Sequence, residues 1–580
     1  MAVTNAEVAA MLNRVADLLE IRGENFFKIR AYREAVRQVD NLTTEVASLL
    51  QAGTLKDVPS IGPAIEKKIA EFVATGQLEF LRNLEAEVPP ALLDLTRVPG
   101  LGPRTAKEIY DGLGITTLES LEAAARGHRL QTLPGIKAKT EENILKNLEL
   151  LKRTESKTYF PEALLLADTL LASLRSLAGV VRAEVAGSVR RAQETVGDLD
   201  LLVAATEPAR IAAELAHLPQ VAEVLSQGDT RCSIRVRSGL HVDLRTVTPD
   251  SFGAAWQYFT GSQAHNVQLR GRAERMGRLK INEYGVYRED GSRIAGETEE
   301  EVYAAVGCAW IPPEIREGRG EIEAAAAGTL PALVQQSDLL GDLHTHSDWS
   351  DGRTDIRTMG LAAQQRGYRY MALTDHTQSL LVAGGLTPER FRLRAAEIAR
   401  VNRELIDFRI LAGAEVDILA DGRLDLPDEV LESLDLVVAS VHTAFDQSRA
   451  VMTERVVRAL RSPHVDVLGH PTCRRLDRRE GTAVDLEAVI AEAARSGTAL
   501  EINSSPMRLD LNDTWARQAL AAGVLLAVDN DAHYPAEFGY ARYGSAIARR
   551  AGAGVANVLN TRSADELLAH CRQRTARVAG

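Results

Sequence analysis

Three carboxylates in the middle of the chain are spaced for chemistry with divalent metal ions. Asp198 and Asp200 lead into the apolar run 201–203, and Asp243 lies in a second apolar segment. Residues i and i+2 of a strand face the same side, so the first two carboxylates project together. Neighbouring carboxylates repel unless a cation lies between them, and the triad therefore predicts a site for Mg²⁺ or Mn²⁺. Two such ions activate an attacking 3′-hydroxyl and stabilise a leaving pyrophosphate.

A glycine–serine turn with two arginines precedes this triad. Gly187, Ser188 and Arg191 follow an apolar run, and Ser188 lies ten residues before Asp198. The order predicts a strand, a turn and a helix, with Ser188 and Arg191 contacting a triphosphate. An Asp-x-Asp pair alone is common in loops. The spacing of the turn and the third carboxylate disfavours that alternative.

A second set of ligands follows seven short apolar runs beyond residue 338. Helical stretches such as 387–405 and 486–495 separate the runs, and this alternation predicts parallel strands. In a (β/α) barrel the carboxyl ends of the strands converge on one face. A lone histidine beside a strand is usually a core residue, but nine nitrogen and oxygen ligands without a dedicated thiolate suit two or three Mn²⁺, Zn²⁺ or Fe ions. The predicted ligands are His344, His346, Asp351, His376, Glu415, His442, His470, Asp531 and His533.

The first 150 residues contain a turn that occurs three times, at 59–63, 99–103 and 134–137. Each copy predicts a helix, a tight turn and a second helix whose free backbone N–H groups suit a phosphate. Such donors do not read base identity. The repeat resembles the helix-hairpin-helix motif of non-sequence-specific DNA-binding proteins, with Gly62 and Gly102 in the first two turns. Lys137 replaces the second glycine of the third copy, which leaves a purely structural role open there.

The segment 185–284 resembles the family X DNA polymerases, the family of DNA polymerase beta. The match includes the turn and the carboxylates described above, and it extends to the segment Tyr258-Phe259-Thr260-Gly261. The resemblance implies that Tyr258, Phe259 and Gly261 line the nucleotide sugar. It also implies that Asn266 and Arg270 contact the minor groove of DNA. Composition alone would place the two aromatic residues in the core.

The resemblance extends over the first 85 residues, which match the family's small 5′-end-binding domain. Lys68 matches the lysine that forms a Schiff base and removes 5′-deoxyribose phosphate, and the adjacent Lys67 favours a lowered pKa for its amine. Lys28 and Tyr32 match the 5′-phosphate pocket. Ala64 replaces a second phosphate-binding lysine of the family. Weak lyase activity and a solvated basic edge that only touches phosphate therefore both stay open.

The last 240 residues resemble the PHP (polymerase and histidinol phosphatase) domain. The matching motifs are 342–347, 374–376, 414–417, 469–471 and 531–533, and the family's metal positions match all nine ligands named above. Membership implies hydrolysis of phosphate esters. Cys473 replaces the usual glycine of its motif and is expected to be inert. Arg474 and Arg508 are candidate phosphate contacts.

These patterns predict a multidomain chain. Its fold class comprises α-helical helix-hairpin-helix domains, an α+β nucleotidyltransferase palm and thumb, and a C-terminal (β/α)7 PHP barrel. The predicted domains are a helical 5′-end or lyase-like DNA-binding domain (1–85), a helix-hairpin-helix domain of the fingers type (86–155), a nucleotidyltransferase palm (156–250), a thumb-type nucleotide-selection domain (251–320), a linker (321–337) and a PHP metal-dependent phosphoesterase domain (338–580).

The expected function is that of a bacterial-type family X DNA polymerase with a PHP exonuclease that trims 3′ ends in base-excision-type repair. Gapped or nicked DNA and dNTPs are the expected partners, and the chain is expected to be a monomer. Two alternatives stay open. The PHP site could serve as a small-molecule phosphatase on a DNA-binding protein, or both sites could be degenerate parts of a scaffold.

Composition limits these alternatives. The chain has 580 residues, which suggests about four domains, and its formal net charge is −12. That balance excludes a protein that coats nucleic acid by bulk charge alone. Four scattered cysteines are too few for a disulfide framework. No apolar run is long enough to span a bilayer, and a cytoplasmic location is expected.

Overall fold

The computed structural model describes residues 5–40, 46–58, 60–88, 92, 95, 96, 98, 101–155, 158–476 and 478–579. Pro59, Pro99 and Gly100 of the predicted turns lie outside these residues. The chain divides into two compact units, residues 1–156 and 157–580. No helix in the described part of the chain is both long and apolar enough to cross a membrane.

The N-terminal unit is helical and is built around one apolar core. Buried side chains from Val8 to Leu148 form a single cluster. The helices are α1 (Asn5–Arg22), α2 (Phe26–Asp40), α3 (Val46–Ala52), α4 (Pro63–Thr75), α5 (Glu79–Glu87), α6 (Pro103–Leu113), α7 (Leu118–Arg126) and α8 (Ala138–Glu155).

Helices α4 and α6 begin and end in the same way, which explains the repeat in the sequence. Gly62 and Gly102 are their N-caps, and a proline occupies the first helical position of each. Gly76 and Gly114 end the helices in the left-handed region, with φ of +70° and +63°. Proline loses no hydrogen bond in the first turn, and glycine adopts the left-handed C-cap without steric cost. The predicted helix-hairpin-helix architecture is thus confirmed for this part of the chain.

The third turn is built differently. Gly135 has φ of +87°, and α8 begins three residues later. The carbonyl of Lys137 accepts the N–H groups of Thr140 and Glu141. Lys137 therefore takes the place that Gly62 and Gly102 occupy in the other two copies.

The palm is a mixed five-stranded sheet in the order β2-β4-β7-β6-β5, in which β4 and β7 are parallel neighbours. Leu199, Leu201 and Val203 on one face of β4 join the main core with helices α9 and α11. Leu202 and Ala204 on the opposite face pack against Phe252 and Ala255. Asp198 and Asp200 share this second face by the period of two. The palm elements are β1 (Thr158–Tyr159), α9 (Phe160–Arg175), β2 (Val180–Val185), α10 (Gly187–Arg190), β3 (Thr195–Val196), β4 (Asp198–Ala205), α11 (Pro208–Leu215), β5 (Val221–Gln227), β6 (Arg231–Val236) and β7 (His241–Val247).

The thumb packs around its own apolar cluster and reaches further along the chain than expected. Ile322 and Ala325 lie in the predicted linker, yet they are buried in this cluster on a helix. Glu321 on the same helix lies 2.7 Å from His265. The first part of the predicted linker is therefore packed structure of the thumb, while the domain boundaries stay predictions. The elements are α12 (Phe252–Thr260), α13 (Gln263–Gly277), β8 (Lys280–Asn282), β9 (Gly285–Tyr287), β10 (Arg293–Ala295), α14 (Glu299–Ala305) and α15 (Glu321–Ala327).

The C-terminal region is a barrel of seven parallel strands in sequential order, as the alternation of strands and helices predicts. The helices between the strands include two near the expected positions, α17 and α20. The strands are β11 (Gly341–Thr345), β12 (Tyr370–Leu373), β13 (Arg409–Asp417), β14 (Leu436–Ser440), β15 (Val467–Leu468), β16 (Ala499–Asn503) and β17 (Leu526–Asp529). The helices are α16 (Ile356–Gln365), α17 (Pro388–Asn402), α18 (Asp428–Leu431), α19 (Arg449–Leu460), α20 (Leu486–Ser496), α21 (Asp513–Ala521), α22 (Ala541–Ala551) and α23 (Ala564–Ala579).

The first and last strands of the barrel approach each other closely. The backbone N–H of Leu343 donates to the Asp529 carboxylate at 2.8 Å, and the N–H of His346 donates to the Ala532 carbonyl at 2.8 Å. Apolar side chains from the strands fill the interior, and Leu567 and Leu568 of α23 belong to the same cluster. The barrel is thus packed inside, which leaves its loops to form a site.

Candidate active sites

The structure brings the three palm carboxylates together. Asp200 on β4 is in register with Asp243 on β7, and one oxygen from each of Asp198, Asp200 and Asp243 lies within 4.8 Å of the others. Burial, followed by the charges of Asp198 and Asp243, raises the pKa of Asp200 to about 7. Like charges at this distance resist ionisation unless a cation joins them. The donor set therefore fits one or two oxygen-preferring divalent ions.

The turn before β4 requires glycine and leaves a hydroxyl unused. Gly187 has φ of +61°, and a Cβ there would lie 2.0 Å from a carboxylate oxygen of Asp200. The Ser188 hydroxyl is buried and has no hydrogen-bond partner in the described chain. It lies directly after the glycine that touches Asp200, so a ligand held by the carboxylates could accept its hydrogen bond.

Arg191 ends this turn, and hydrogen bonds to two other residues hold its guanidinium. Its Nε donates to Glu317 at 3.2 Å, and its Nη1 donates to the carbonyl of Thr260. Burial lowers the pKa of Arg191, and the charge of Glu317 opposes that shift. Glu317 and Thr260 lie far from Arg191 in sequence, so sequence reasoning missed both contacts.

Asp243 has support that sequence reasoning also missed. Ser233 on β6 is in register with Asp243 and donates its hydroxyl to the carboxylate. Arg231 lies 3.3 Å from the same carboxylate. The alternation of side chains along β6 could have placed both residues on the carboxylate face.

The residues predicted to line the nucleotide sugar lie at the end of α12. The rings of Tyr258 and Phe259 are partly buried and meet edge to face with centroids 5.3 Å apart. Gly261 follows with φ of +70°, and a Cβ there would lie 3.2 Å from Nη1 of Arg191. The structure therefore places this segment beside the arginine of the turn.

Asn266 and Arg270 lie one turn apart on α13, so they share one face of the helix. The Asn266 amide donates to the carbonyl of Tyr258 at 2.8 Å and accepts from the Gln257 amide at 2.8 Å. Arg270 is exposed. The structure thus links Asn266 to the aromatic segment and leaves Arg270 accessible to solvent.

All nine predicted ligands of the barrel lie at the carboxyl ends of its strands. Three overlapping groups have ligand atoms within 4.8 Å of one another. His470 joins them through Nε2, which is 2.9 Å from Glu415. The groups are His346, Asp351, His376 and His533; His344, His346 and Asp531; and His376, Glu415 and His442.

Glu415 is the centre of this arrangement. Its carboxylate lies 3.3 Å from Nε2 of His344, 2.9 Å from Nδ1 of His376 and 3.2 Å from Nε2 of His442. Burial alone would raise its pKa, but these imidazoles hold the pKa of Glu415 well below its ordinary value. The same attraction overcomes burial at His344 and raises the pKa of that imidazole well above the ordinary value.

The site passes a simple test for metal binding. Nε2 of His344, Nε2 of His346 and Nδ1 of His376 are buried and make no hydrogen bond within the described residues, although carboxylate oxygens lie nearby. Buried polar atoms are normally hydrogen-bonded. Convergent imidazole nitrogens and carboxylates without a thiolate fit Zn²⁺, Mn²⁺ or Fe ions, which would give these nitrogens partners.

Two buried carboxylates orient two of the predicted imidazole ligands by contacting their second ring nitrogen. Glu501 lies 2.7 Å from Nδ1 of His344, and Asp417 lies 2.8 Å from Nδ1 of His442. A hydrogen bond to the second ring nitrogen fixes the orientation of a ligating imidazole. Sequence reasoning missed both roles. A charge in the apolar segment 499–502 was a usable signal, since a buried charge needs a partner.

Three residues after the fifth and sixth strands differ in their relation to the cleft. Nε and Nη2 of Arg474 donate to the carbonyls of Arg508 and Leu509 and to Glu194, and Arg474 does not line the cleft, so its contact with phosphate stays a prediction. Arg508 lines the cleft and lies 3.3 Å from Asp531. Burial and then Asp510 raise the pKa of the Cys473 thiol to about 12, which agrees with an inert thiol.

The metal-ligand cluster opens into a cleft of about 550 Å³. Arg353 and Arg508 supply positive charge at its wall, and Val382 and Met507 supply apolar surface. This combination suits an anionic substrate that also carries a hydrophobic group.

The residues predicted to hold a 5′ end also converge. Lys28, Tyr32, Gly62 and Lys68 line one cavity of about 730 Å³ in the N-terminal unit. The Lys68 ammonium lies 4.7 Å from the Phe80 ring centroid. Burial, and then the charge of Lys28, lowers the pKa of Lys68, as a nucleophilic amine requires.

A palm with three convergent carboxylates, joined to a (β/α) barrel with nine metal-type ligands, defines a metal-dependent nucleotidyltransferase fused to a phosphoesterase. Family models agree along the chain: a helix-hairpin-helix domain at 3–78, a SAM-like helix-hairpin-helix tandem at 92–149, a DNA polymerase beta thumb at 255–317 and a PHP domain at 342–505.

Comparison with characterised sequences is more specific. The chain is 37% identical over 570 residues to the DNA polymerase/3′-5′ exonuclease PolX of Bacillus subtilis, covering 98% of this chain and 99% of that protein. It therefore belongs to the PolX family of DNA polymerases. The barrel region alone is similar to proteins described as probable phosphatases. One from a Thermoanaerobacter species is 30% identical over 38% of this chain and 91% of its own length. One from Syntrophotalea carbinolica is 32% identical over 28% of this chain and 65% of its own length.

Proposed function

We propose that the chain fills short gaps in DNA at the palm and removes 3′ nucleotides at the barrel during repair. The observation that carries the proposal is the coexistence of two complete ligand sets on one chain, one of carboxylates and one of imidazoles and carboxylates. Both activities act on a 3′ end, so one primer terminus serves both sites. DNA is the polymer substrate, a dNTP is the proposed second substrate, and a monomer is the proposed state.

In the proposed polymerase reaction Asp198, Asp200 and Asp243 hold Mg²⁺ or Mn²⁺. When bound, these ions neutralise the triphosphate and favour ionisation of the 3′-hydroxyl. Ser188 donates its free hydroxyl to a phosphate oxygen, and Arg191 places its guanidinium on the same group. Both contacts offset the negative charge of the bound triphosphate and so contribute to its affinity.

Selection of the nucleotide is assigned to the end of α12. Tyr258 and Phe259 present ring edges to the sugar, and Gly261 permits a close approach of the backbone. Asn266, which bonds to the Tyr258 carbonyl, is proposed to sense the minor groove of the new base pair together with Arg270.

In the proposed exonuclease reaction the nine barrel residues hold two or three Mn²⁺, Zn²⁺ or Fe ions. When bound, the ions supply an activated water and offset the charge of the phosphate. Glu415 and Asp531 bridge the imidazole groups, and Glu501 keeps His344 in the orientation for ligation. Arg508 is proposed to hold the scissile phosphate at the wall of the cleft.

Binding of gapped or nicked DNA is assigned to the helical hairpins. Gly62 and Gly102 stand before exposed helix N-termini, where an added Cβ would meet nothing within 4 Å, so a phosphate can reach the free N–H groups. Lys28 and Tyr32 are proposed to hold the 5′ phosphate. Lys68 is proposed as the lyase nucleophile because its amine is partly buried in the same cavity.

Reciprocal inactivation tests the two main assignments. We expect Asp198→Ala with Asp200→Ala to abolish Mn²⁺-dependent extension on a one-nucleotide gap and to leave 3′-5′ exonuclease activity in place. We expect His344→Ala to have the opposite effect. Unchanged extension in the first variant contradicts the palm assignment, and retained nuclease activity in the second contradicts the barrel assignment.

Borohydride trapping tests Lys68. A 5′-deoxyribose-phosphate end should form a covalent adduct with the wild type and with Lys67→Ala, but not with Lys68→Ala. Because burial lowers the pKa of Lys68, the trapping yield should reach half its maximum below the ordinary lysine value of 10.5. No adduct with the wild type would favour a basic edge that only touches phosphate, and an adduct kept in Lys68→Ala would exclude Lys68 as the nucleophile.

A small-molecule phosphatase is the second candidate for the barrel, because the similar probable phosphatases match this region alone. The cleft wall of arginines and apolar side chains favours a nucleotide instead. Turnover of single-stranded DNA and of a simple sugar phosphate by the same preparation separates the two. Faster turnover of the sugar phosphate would support the phosphatase.

A further inference from the structure

An arginine of the barrel lies directly behind the turn that carries Arg191. Nη1 of Arg550 donates to the main-chain carbonyl of Arg191 at 2.9 Å and to the Glu317 carboxylate at 2.7 Å. The same oxygen of Glu317 accepts from Nε of Arg191 at 3.2 Å. Arg550 is buried. One barrel side chain thus contacts both the backbone of the palm arginine and the carboxylate that pairs with it.

The barrel holds this arginine rigidly. Helix α22 lies tightly on β16, since a Cβ on Gly544 would fall 2.1 Å from the Ser504 hydroxyl. Arg550 occupies the last turn of α22, where a cation is favoured by the helix dipole. Its Nε lies 3.1 Å from Asp513 on α21. The guanidinium is therefore fixed by Asp513 on the barrel side and reaches Glu317 on the other side.

The Glu317 carboxylate accepts hydrogen bonds from both the palm and the barrel. It accepts from Arg191, from Gln193 at 2.8 Å and from Arg550. Burial opposes ionisation, but the hydrogen bond and charge of Arg550 come next and keep the pKa of Glu317 below its ordinary value. Without Arg550, Glu317 would be left to Arg191 and Gln193, and the backbone of Arg191 would lose an anchor. Both changes would move the Arg191 guanidinium away from a triphosphate.

We propose that Arg550 is a positioning residue for the nucleotide site of the palm, through which the exonuclease barrel sets the polymerase's affinity for a nucleoside triphosphate. The inference rests on the proposed contact between Arg191 and the triphosphate. Arg550 itself does not touch substrate; it acts through Glu317 and the backbone of Arg191. The barrel then contributes to polymerisation by a defined contact as well as by its own active site.

The test uses the full chain with Arg550→Met, in single-nucleotide gap filling with dNTP. We expect the KM for dNTP to rise about tenfold, the order expected when a hydrogen bond to a charged group is lost. The kcat should change less than about twofold, because the metal-binding carboxylates are untouched. Exonuclease activity on single-stranded DNA should not change.

Arg549→Met is the matched control. Arg549 is the adjacent residue of α22 and makes an equally close contact between barrel and thumb, with Glu314 at 2.7 and 3.1 Å, but the described structure shows no bond from it to Arg191 or Glu317. We expect its KM for dNTP to stay at the wild-type value. An equal rise in KM for both variants would overturn the proposal, because general attachment of the domains would then suffice. A wild-type KM in Arg550→Met would also overturn it.

Two further variants keep the test decisive if Arg550→Met does not fold. Arg550→Lys should recover part of the affinity for dNTP, since an ammonium can pair with Glu317 but lacks the planar guanidinium that faces Glu317 and Asp513 together. Glu317→Gln should raise the KM, and combining it with Arg550→Lys should add little, as expected for residues that act through one contact. Full additivity would contradict the proposal.

Arg191→Ala separates failure of this inference from failure of the proposed function. If Arg191→Ala leaves the KM for dNTP unchanged, the triphosphate contact itself is wrong, and the role of Arg550 falls with it. If Arg191→Ala raises the KM and Arg550→Met does not, only the role of Arg550 is wrong.

Discussion

The two ligand clusters of this chain solve the problem of like charge in different ways. The palm collects three carboxylates from two neighbouring strands within 46 residues of sequence, and Asp198 is exposed. The barrel collects nine predicted ligands from the ends of six of its seven strands, and imidazoles lie beside carboxylates throughout. In the palm, burial and like charge raise the pKa of Asp200 to about 7. In the barrel, imidazoles keep the pKa of Glu415 well below its ordinary value despite complete burial.

This difference indicates how each site uses its metal ions. Three carboxylates with one arginine, Arg231, paired to Asp243 suit ions that arrive with a substrate and leave with the product. A cluster whose charges already balance is assembled before metal enters, and its imidazoles are oriented by Glu501 and Asp417. For the proposed ions we therefore expect exchange with substrate in the palm and retention in the barrel.

The largest effect on gap-filling activity is expected from a substitution at Gly187 in the palm. Gly187→Ala should lower gap-filling activity at least a hundredfold, roughly the upper end of what loss of metal-site orientation costs, because its Cβ would displace the Asp200 carboxylate. Exonuclease activity should stay at the wild-type level. Gly197→Ala is the control, since a Cβ there meets nothing within 4 Å. Equal losses in both variants would show that glycine flexibility, not the Asp200 contact, matters.

An intermediate effect is expected at the barrel. Glu501→Gln should reduce exonuclease activity by about tenfold to a hundredfold, the range for residues that orient metal ligands, and leave gap filling unchanged. Asp466→Asn is the matched control, because Asp466 is also buried but pairs with Arg574 before β15, at the other end of the barrel. Asp466→Asn should alter thermal stability alone. Similar exonuclease losses in both variants would point to general damage to the barrel.

The smallest effect concerns stability and compares the two sites directly. Removing metal with a chelator should lower the melting temperature of the barrel by at least about 5 °C, since a ligand at a hundred times its Kd stabilises by about 2.7 kcal/mol. The shift should persist in Asp198→Ala with Asp200→Ala and vanish in His344→Ala, as measured by calorimetry. A shift lost in the palm variant instead would reverse the assignment of resident ions.

Much of the fold was predictable because its signals are local. Gly62, Pro63 and Gly76 mark a helix start and end by their backbone preferences alone. The seven apolar runs of the barrel appear as strands in sequential order, because alternation of strand and helix admits few parallel arrangements. The predicted linker is where local reasoning failed. Its alanine run forms helix α15, which is buried against the thumb by contacts that are distant in sequence.

The candidate sites were predictable to the extent that motifs carry several ligands each. Asp198 and Asp200 face one side by strand periodicity, and His344 near the end of β11 and His346 just beyond it come from one motif. Residues that serve a site from another element had no such signal. Ser233 reaches Asp243 through strand pairing, and Arg474 turned out to bond within the protein because neighbouring carbonyls take its donors.

The sequence by itself determined the residue types, their local spacing and the class of chemistry that each group of ligands can perform. Only the tertiary structure decided that the nine predicted ligands, Glu415 among them, form one cluster, that Glu501 bonds to His344 and that Arg550 of the barrel contacts Arg191 of the palm. The reason is physical. Backbone preference and side-chain periodicity act over a few residues, whereas burial, charge pairing and close approach depend on elements hundreds of residues apart that meet only when the chain packs.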